Sequence, residues 1–166
     1  MTTASCAPRA EAVPGIFAAA QQDMEFHSRL AVARHYLENL LAGFSATVAA
    51  ADPERMAALL RGARLIAEES DGNQQELTPQ GAVGWLAPAG RTAVVTTNNL
   101  SLSHDGPNIR YTGTFQCWRS ESLPQCAAFG TFHGLLVAGP QVWRWSEHVI
   151  RFPSWEAEST ACQGSP

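Results

Sequence analysis

The pattern of apolar and polar positions changes character once along the chain, near residue 90. From His27 onward Leu30, Ala33, Leu37, Leu40, Leu41, Phe44 and Val48 recur at helical spacing, the stripe of one long amphipathic helix. Asp52-Pro53-Glu54-Arg55 restarts the chain: an Asp can cap, a Pro fits the first helical position, and a Glu favours the positive helix end. A second, short helix follows, with Met56, Leu59 and Leu60 on one side. Arg64 to Glu68 reads as a short strand and Asp71-Gly72-Asn73 as a turn. Thr78-Pro79 opens a third helix running through Ala82 and Trp85 to about Pro88. After it come four strand-like runs: Thr92 to His104, Asn108 to Arg119, Cys126 to Ala138 and Gln141 to Phe152. Their short connections predict consecutive antiparallel pairing. Helices first and a meander afterwards make an α+β domain with the helices on one sheet face. That domain spans residues 27–152. Residues 1–26 and 153–166 lack lasting periodicity and read as loosely ordered tails, although the Ala-rich stretch after Ile16 equally suits a short extra helix.

Composition narrows the function classes. A chain of 166 residues suits one domain, and 45% hydrophobic residues can fill its core. No apolar run approaches the ~18 residues that span a bilayer. The balance of 11 Lys+Arg against 15 Asp+Glu gives a net charge of -4 with no basic run, which argues against a nucleic-acid or membrane surface. Charged residues are only 16%, against a usual ~25%, so neutral surface is left to cover in a subunit interface or an apolar pocket. Cys6 and Cys162 sit in the tails, and Cys117 and Cys126 flank a Ser/Pro loop. A hairpin there could bring Cys117 and Cys126 face to face, but two reduced thiols are the simpler reading. No zinc spacing, His-x-His pair or phosphate-binding Gly-rich loop occurs, so neither metal nor organic cofactor is expected. The apolar run Ile16 to Ala20 is too short for a secretory signal, and a cytoplasmic location is expected.

Three local cues carry a resemblance. Asp52 stands between two helices and is followed by Met56-Ala57-Ala58-Leu59-Leu60; Thr96-Thr97-Asn98-Asn99-Leu100-Ser101-Leu102 places Asn in a strand; and Gly130-Thr131-Phe132 precedes Trp143-Arg144. In this order they resemble the nuclear-transport-factor-2-like (NTF2-like) superfamily and, within it, the SnoaL-like group, over about residues 27–152. The resemblance implies a curved antiparallel sheet forming a cone around the long N-terminal helix, an enclosed apolar cavity, and a homodimer. Its members include ketosteroid isomerase, scytalone dehydratase, polyketide cyclases and binding modules, so the fold does not decide the function.

Candidate site residues follow from strand alternation and from that resemblance. Trp143, Trp145, Glu147 and Val149 share one parity in the last strand. If that face looks inward, Glu147 is a carboxylate on an apolar wall, suited to acid/base work near neutrality. Counting from Asp52 puts Glu68, with Glu69 beside it, where ketosteroid isomerases keep a general base. His133 is similar in position to a scytalone dehydratase His, but alternation leaves open whether the His133 or the Phe132 set points inward. Tyr111 shares parity with Ile109, Phe115 and Cys117, so its hydroxyl could reach a pocket. Asn98 shares parity with Val94, Leu100 and Leu102, and a bulge would substitute Asn99. Trp143, Trp145, Phe132, Phe44, Trp85 and Tyr36 would supply an aromatic wall. Phe44 and Phe132 fall where the steroid isomerases carry hydrogen-bond donors, which argues against that reaction. The expected function is therefore a cofactor-independent cyclase, isomerase or dehydratase acting on a small apolar oxygenated molecule of polyketide or terpenoid type. The alternative is a non-catalytic binding or dimerisation module. Converging inward polar groups in an open pocket would favour the enzyme, and a filled cone the module. Trp118, closing the polar row of Arg110, Thr112, Thr114 and Gln116, points to a homodimer through the outer sheet face.

Overall fold

The computed structural model describes residues 14–86, 93–119, 125–140 and 142–151. The helical stripe forms one wall of the core. Helix α1 runs from Pro14 to Ala50 and buries Ala33, Leu37, Leu41, Phe44 and Val48. It starts thirteen residues before His27, so the part of the expected N-terminal tail from Pro14 onward is helix. Proline suits a first helical turn, and Ala18-Ala19-Ala20 with the glutamines after it are good helix formers. Residues 1–13 and the C-terminal tail lie outside the described residues. Thr47 is buried too, and its hydroxyl donates to the Gly43 carbonyl at 2.8 Å.

The helix stops where Ala51 takes φ 50°. Its N–H reaches the Val48 carbonyl at 3.1 Å, and the Asp52 N–H reaches that of Thr47 at 3.2 Å, which satisfies the last carbonyls. Asp52 then caps α2 (Pro53–Leu59), its carboxylate accepting the Arg55 N–H at 2.9 Å. Asp52→Ala is expected to cost about 1 kcal/mol, read as a lower urea midpoint.

Next come β1 (Arg64–Glu68), β2 (Gln74–Glu76) and α3 (Pro79–Leu86), then β3 (Ala93–Asp105), β4 (Asn108–Arg119), β5 (Gln125–Ala138) and β6 (Trp143–Arg151). They build one curved, open sheet in the order β2-β1-β6-β5-β4-β3. The antiparallel meander of the last four strands is as expected. Two features are not: the short β2, and the parallel pairing of β1 with β6. The core lies between α1 and the inner sheet face, joined by Met56, Ala82 and Leu86 from the short helices and by Leu60, which ends α2.

Three irregularities break the ladders. The β3–β4 register shifts between Asn98 and Ser101, with Asn99 at φ 53°. The β4–β5 register shifts after Cys117. In the β5–β6 pair Leu135 faces Glu147 while Leu136 faces Trp145, leaving Ser146 unpaired. An extra residue turns every later side chain to the other face. Strand β3 also forms one edge of the sheet, and there the Ser45 hydroxyl of α1 donates to the Val95 carbonyl at 2.5 Å. The opposite edge is β2, whose Gln74, Gln75 and Glu76 are all exposed.

On the inner face aromatic residues stand opposite glycines: Tyr111 faces Gly134, Phe115 faces Gly130, and Phe132 faces Gly113. Each ring lies across the bare backbone of its partner. A Cβ on Gly134 would overlap both the Tyr111 hydroxyl and the backbone carbonyl of Glu147.

Candidate functional site

The inner aromatic residues converge on one buried polar pair. Tyr111 comes from near the start of β4 and His148 from β6, past its bulge, and they are 1% and 2% exposed. Tyr111 Oη lies 2.7 Å from His148 Nδ1 and 3.3 Å from the Glu147 backbone oxygen, to which it can donate. Trp145 stacks on the imidazole at 4.7 Å with 12° between the planes, and Phe44 meets it edge-on at 5.4 Å. Burial, with a smaller contribution from the His133 charge, pushes the His148 pKa down to about 3; the ring is therefore neutral at pH 7. Burial also holds the Tyr111 phenol well above its usual range, and the Glu147 charge adds to this.

A void of about 10 Å³ lies beside the pair, bounded by Leu41, Phe44, Leu86, Val95, Thr97, Phe115, Phe132, His148 and Ile150. That is room for about one water. An open groove of about 550 Å³ runs between α1 and the β3 edge, and Leu41, Val95 and Thr97 border both spaces. These three side chains are the wall between the void and the outside. The Trp145 indole N–H is buried without a hydrogen-bond partner, a costly state for a donor. Among the described residues no three His, Cys, Asp or Glu side chains gather as a metal set.

Of the residues expected from sequence, Tyr111, Phe44, Phe132 and Trp145 are inside. The others stand apart. Glu147 was expected in the cavity beside Trp145, but the unpaired Ser146 turns it outward. There it pairs with Arg64 at 3.4 Å, its side chain 37% exposed. The same bulge brings in His148, which simple alternation put on the opposite face from the tryptophans. Glu68 also points away from the core, because Leu65 and Ala67 take the inner positions of β1; it pairs with Arg151 at 3.4 Å and accepts from Gln74. His133 is exposed, since β5 turns Phe132, Gly134 and Leu136 inward. Asn98 and Asn99 are both exposed and bound to Thr114 on the outer face; the bulge between them and Ser101 brings in Leu102 instead. Tyr36 is half-buried on α1. Trp143 is half-buried under the guanidinium of Arg29, 5.2 Å from its ring centre. The Trp85 side chain lies outside what the structure describes. The signal that could have found His148 is the polar doublet Ser146-Glu147 between Trp145 and the apolar Val149-Ile150, a break in alternation where a bulge fits.

The architecture matches solved structures. An NTF2-like protein with a cystatin-like fold from Novosphingobium aromaticivorans superposes with a TM-score of 0.61 over 87% of this chain and 97% of its own, at 10% identity. The chain has the NTF2-like fold. Other NTF2-like neighbours differ in what they are named for. The beta subunit of a proposed aromatic-ring-hydroxylating dioxygenase from the same organism matches with a TM-score of 0.58, 8% identity, and coverage of 76% of this chain and 92% of its own. A proposed scytalone dehydratase, again from that organism, matches with 0.54, 12%, 72% and 83%. At such identities the likeness is one of fold alone. No protein-family profile matches the chain, and no curated protein does.

Proposed function

We propose that the chamber takes a small apolar molecule bearing an oxygen, and that the Tyr111–His148 pair moves a proton on it in an isomerase, dehydratase or cyclase reaction. The observation that carries this reading is the pair itself: two titratable side chains, both buried and hydrogen-bonded to one another, beside a void in an aromatic wall. Such groups are costly to bury and cluster where chemistry is done.

A hydroxyl has one proton to give. When Tyr111 donates to the Glu147 carbonyl, its oxygen accepts Nδ1–H of His148 and leaves Nε2 as the basic nitrogen. When Tyr111 donates to Nδ1 instead, Nε2 carries the proton and becomes the donor. A proton taken from the ligand at Nε2 makes the ring an imidazolium, which can return that proton through the same nitrogen to a second position of the ligand. An imidazolium alone is disfavoured here, but the oxyanion formed as a ligand loses its proton would lie close by and offset that charge. The unpartnered Trp145 N–H adds a donor within the same aromatic cluster. The dehydratase named among the structural neighbours fits this class by analogy.

A second reading has its own observation. The void holds no more than one water, so the cone as it stands is nearly full, as in a module whose interior only packs. One experiment separates the two. Cyclohex-2-enone and 1-naphthol are titrated into isotope-labelled protein, and deuterium uptake next to the enone carbonyl is followed in D₂O. The enzyme reading expects shifts at the Trp145 indole, and uptake that falls about 10²-fold in His148→Gln. Thr97→Phe, which narrows the wall from the groove, should weaken binding. An interior that is silent to both compounds at millimolar concentration would leave the packing module.

A further inference from the structure

The void beside His148 has room for about one water, yet the space next to it is far larger. The groove between α1 and β3 encloses about 550 Å³, within the roughly 300–1,000 Å³ of pockets that take small molecules. It follows α1 from Glu38 to Ala49, about 16 Å at about 1.5 Å per residue. Methyl groups line that length: Ala42, Ala46 and Ala49 on the helix side, and Val94 on the strand side. Val94 is 46% exposed, and Ala42 and Ala46 are exposed too. Two of the groove's hydroxyls are already engaged. Ser45 donates to the Val95 carbonyl, and Thr96 accepts the Trp118 indole N–H at 3.1 Å. Among the described residues its one charged lining side chain is Glu38, which pairs with Arg34 at 2.9 Å. An alkyl chain gains from such a lining, and a carboxylate meets only like charge along it.

We infer that the chamber's ligand is an elongated, uncharged molecule, an unbranched alkyl chain with an oxygen at one end, and that the chain lies in this groove. The oxygen-bearing end passes between Leu41, Val95 and Thr97, the three side chains that border groove and void alike. The inference rests on the proton-transfer reading above and narrows its substrate class. It also accounts for the small size of the void. Only a terminal oxygen has to enter, in about the space of one water, while burial of the chain along α1 supplies the affinity. Thr97 is the polar member of the wall, so a hydroxyl stands at the crossing.

The test uses simple probes. Hexan-1-ol, octan-1-ol and octanoate are titrated at pH 7 into the isotope-labelled full chain. The Ala42 and Ala46 methyl resonances report on the groove, and the Trp145 indole reports on the aromatic cluster around the void. Both sets should move with one midpoint. Octan-1-ol should bind about tenfold more tightly than hexan-1-ol, the effect of burying two more methylenes, and at least tenfold more tightly than octanoate. Ala46→Glu puts a charge into the groove from an exposed helical position and should weaken octan-1-ol about tenfold, with an unchanged circular dichroism spectrum. Equal affinities for the two alcohols would overturn the inference, as would octan-1-ol binding that Ala46→Glu leaves intact. Movement of the alanine methyls with a silent Trp145 indole would overturn the passage into the void. Failure of the proton-transfer reading shows separately, as deuterium uptake by cyclohex-2-enone that His148→Gln leaves unchanged.

Discussion

Gly134→Ala is expected to destabilise the protein by about 3 kcal/mol, a large loss for one methyl group. Overpacking a formed core usually costs about 1–3 kcal/mol, and the upper end applies because one of the two atoms in the way is rigid. The new Cβ would press on the Tyr111 hydroxyl, which can swing aside, and on the backbone oxygen of Glu147, which is held in the sheet. Urea unfolding gives the size of the loss. A nuclear resonance measurement on the histidines gives its location: displacement of Tyr111 would take the hydroxyl away from His148 Nδ1. An alanine variant with wild-type stability and an intact Tyr111–His148 bond would show that the ring has room the structure does not give it.

The second large effect is one of pH. His148 is held down at about 3 in the folded protein and returns to about 6.5 when the chain unfolds. Between those values the unfolded chain binds a proton that the folded one refuses. The stabilisation is whole above pH 6.5 and is lost progressively as the pH falls toward 3, by about 1.4 kcal/mol per pH unit at most. The comparison that isolates it is His148→Leu, in which Tyr111 keeps the Glu147 carbonyl as its acceptor. Unfolding free energies from pH 7 to pH 4 should fall more steeply in the wild type than in the variant. Parallel lines would mean that His148 is solvated or already charged in the folded state.

The fold was largely legible because its signals are local. The spacing from Leu30 to Val48 marks the core side of α1, Asp52-Pro53 marks a cap, and Asp71-Gly72-Asn73 marks a turn; each rests on residues a few positions apart. The parallel pairing of β1 with β6 was not legible. It joins segments some eighty residues apart, and nothing within Arg64–Glu68 names its neighbour. The site was legible in part, up to the bulges. Tyr111 could be placed because β4 alternates without interruption from Ile109 to Cys117. His148 and Glu147 exchanged places because one unpaired serine lies between Trp145 and both of them. Asn98 was misplaced for the same reason, since its parity was read from Leu100 and Leu102 across the break at Asn99. Alternation locates a side chain only relative to neighbours in the same uninterrupted ladder.

The two borders of the sheet bear on how this protein behaves when crowded. An open sheet invites a second chain to add itself along an unpaired strand, the first step toward aggregates and fibrils. Here β2 offers only three exposed polar residues, too short a template to hold an incoming strand. The long border, β3, is blunted twice: Ser45 occupies the Val95 carbonyl, and the turned backbone at Asn99 interrupts the straight run beyond it. A strand docking there would find its hydrogen-bonding row broken within a few residues. This open sheet thus stays finite, although it never closes into a barrel.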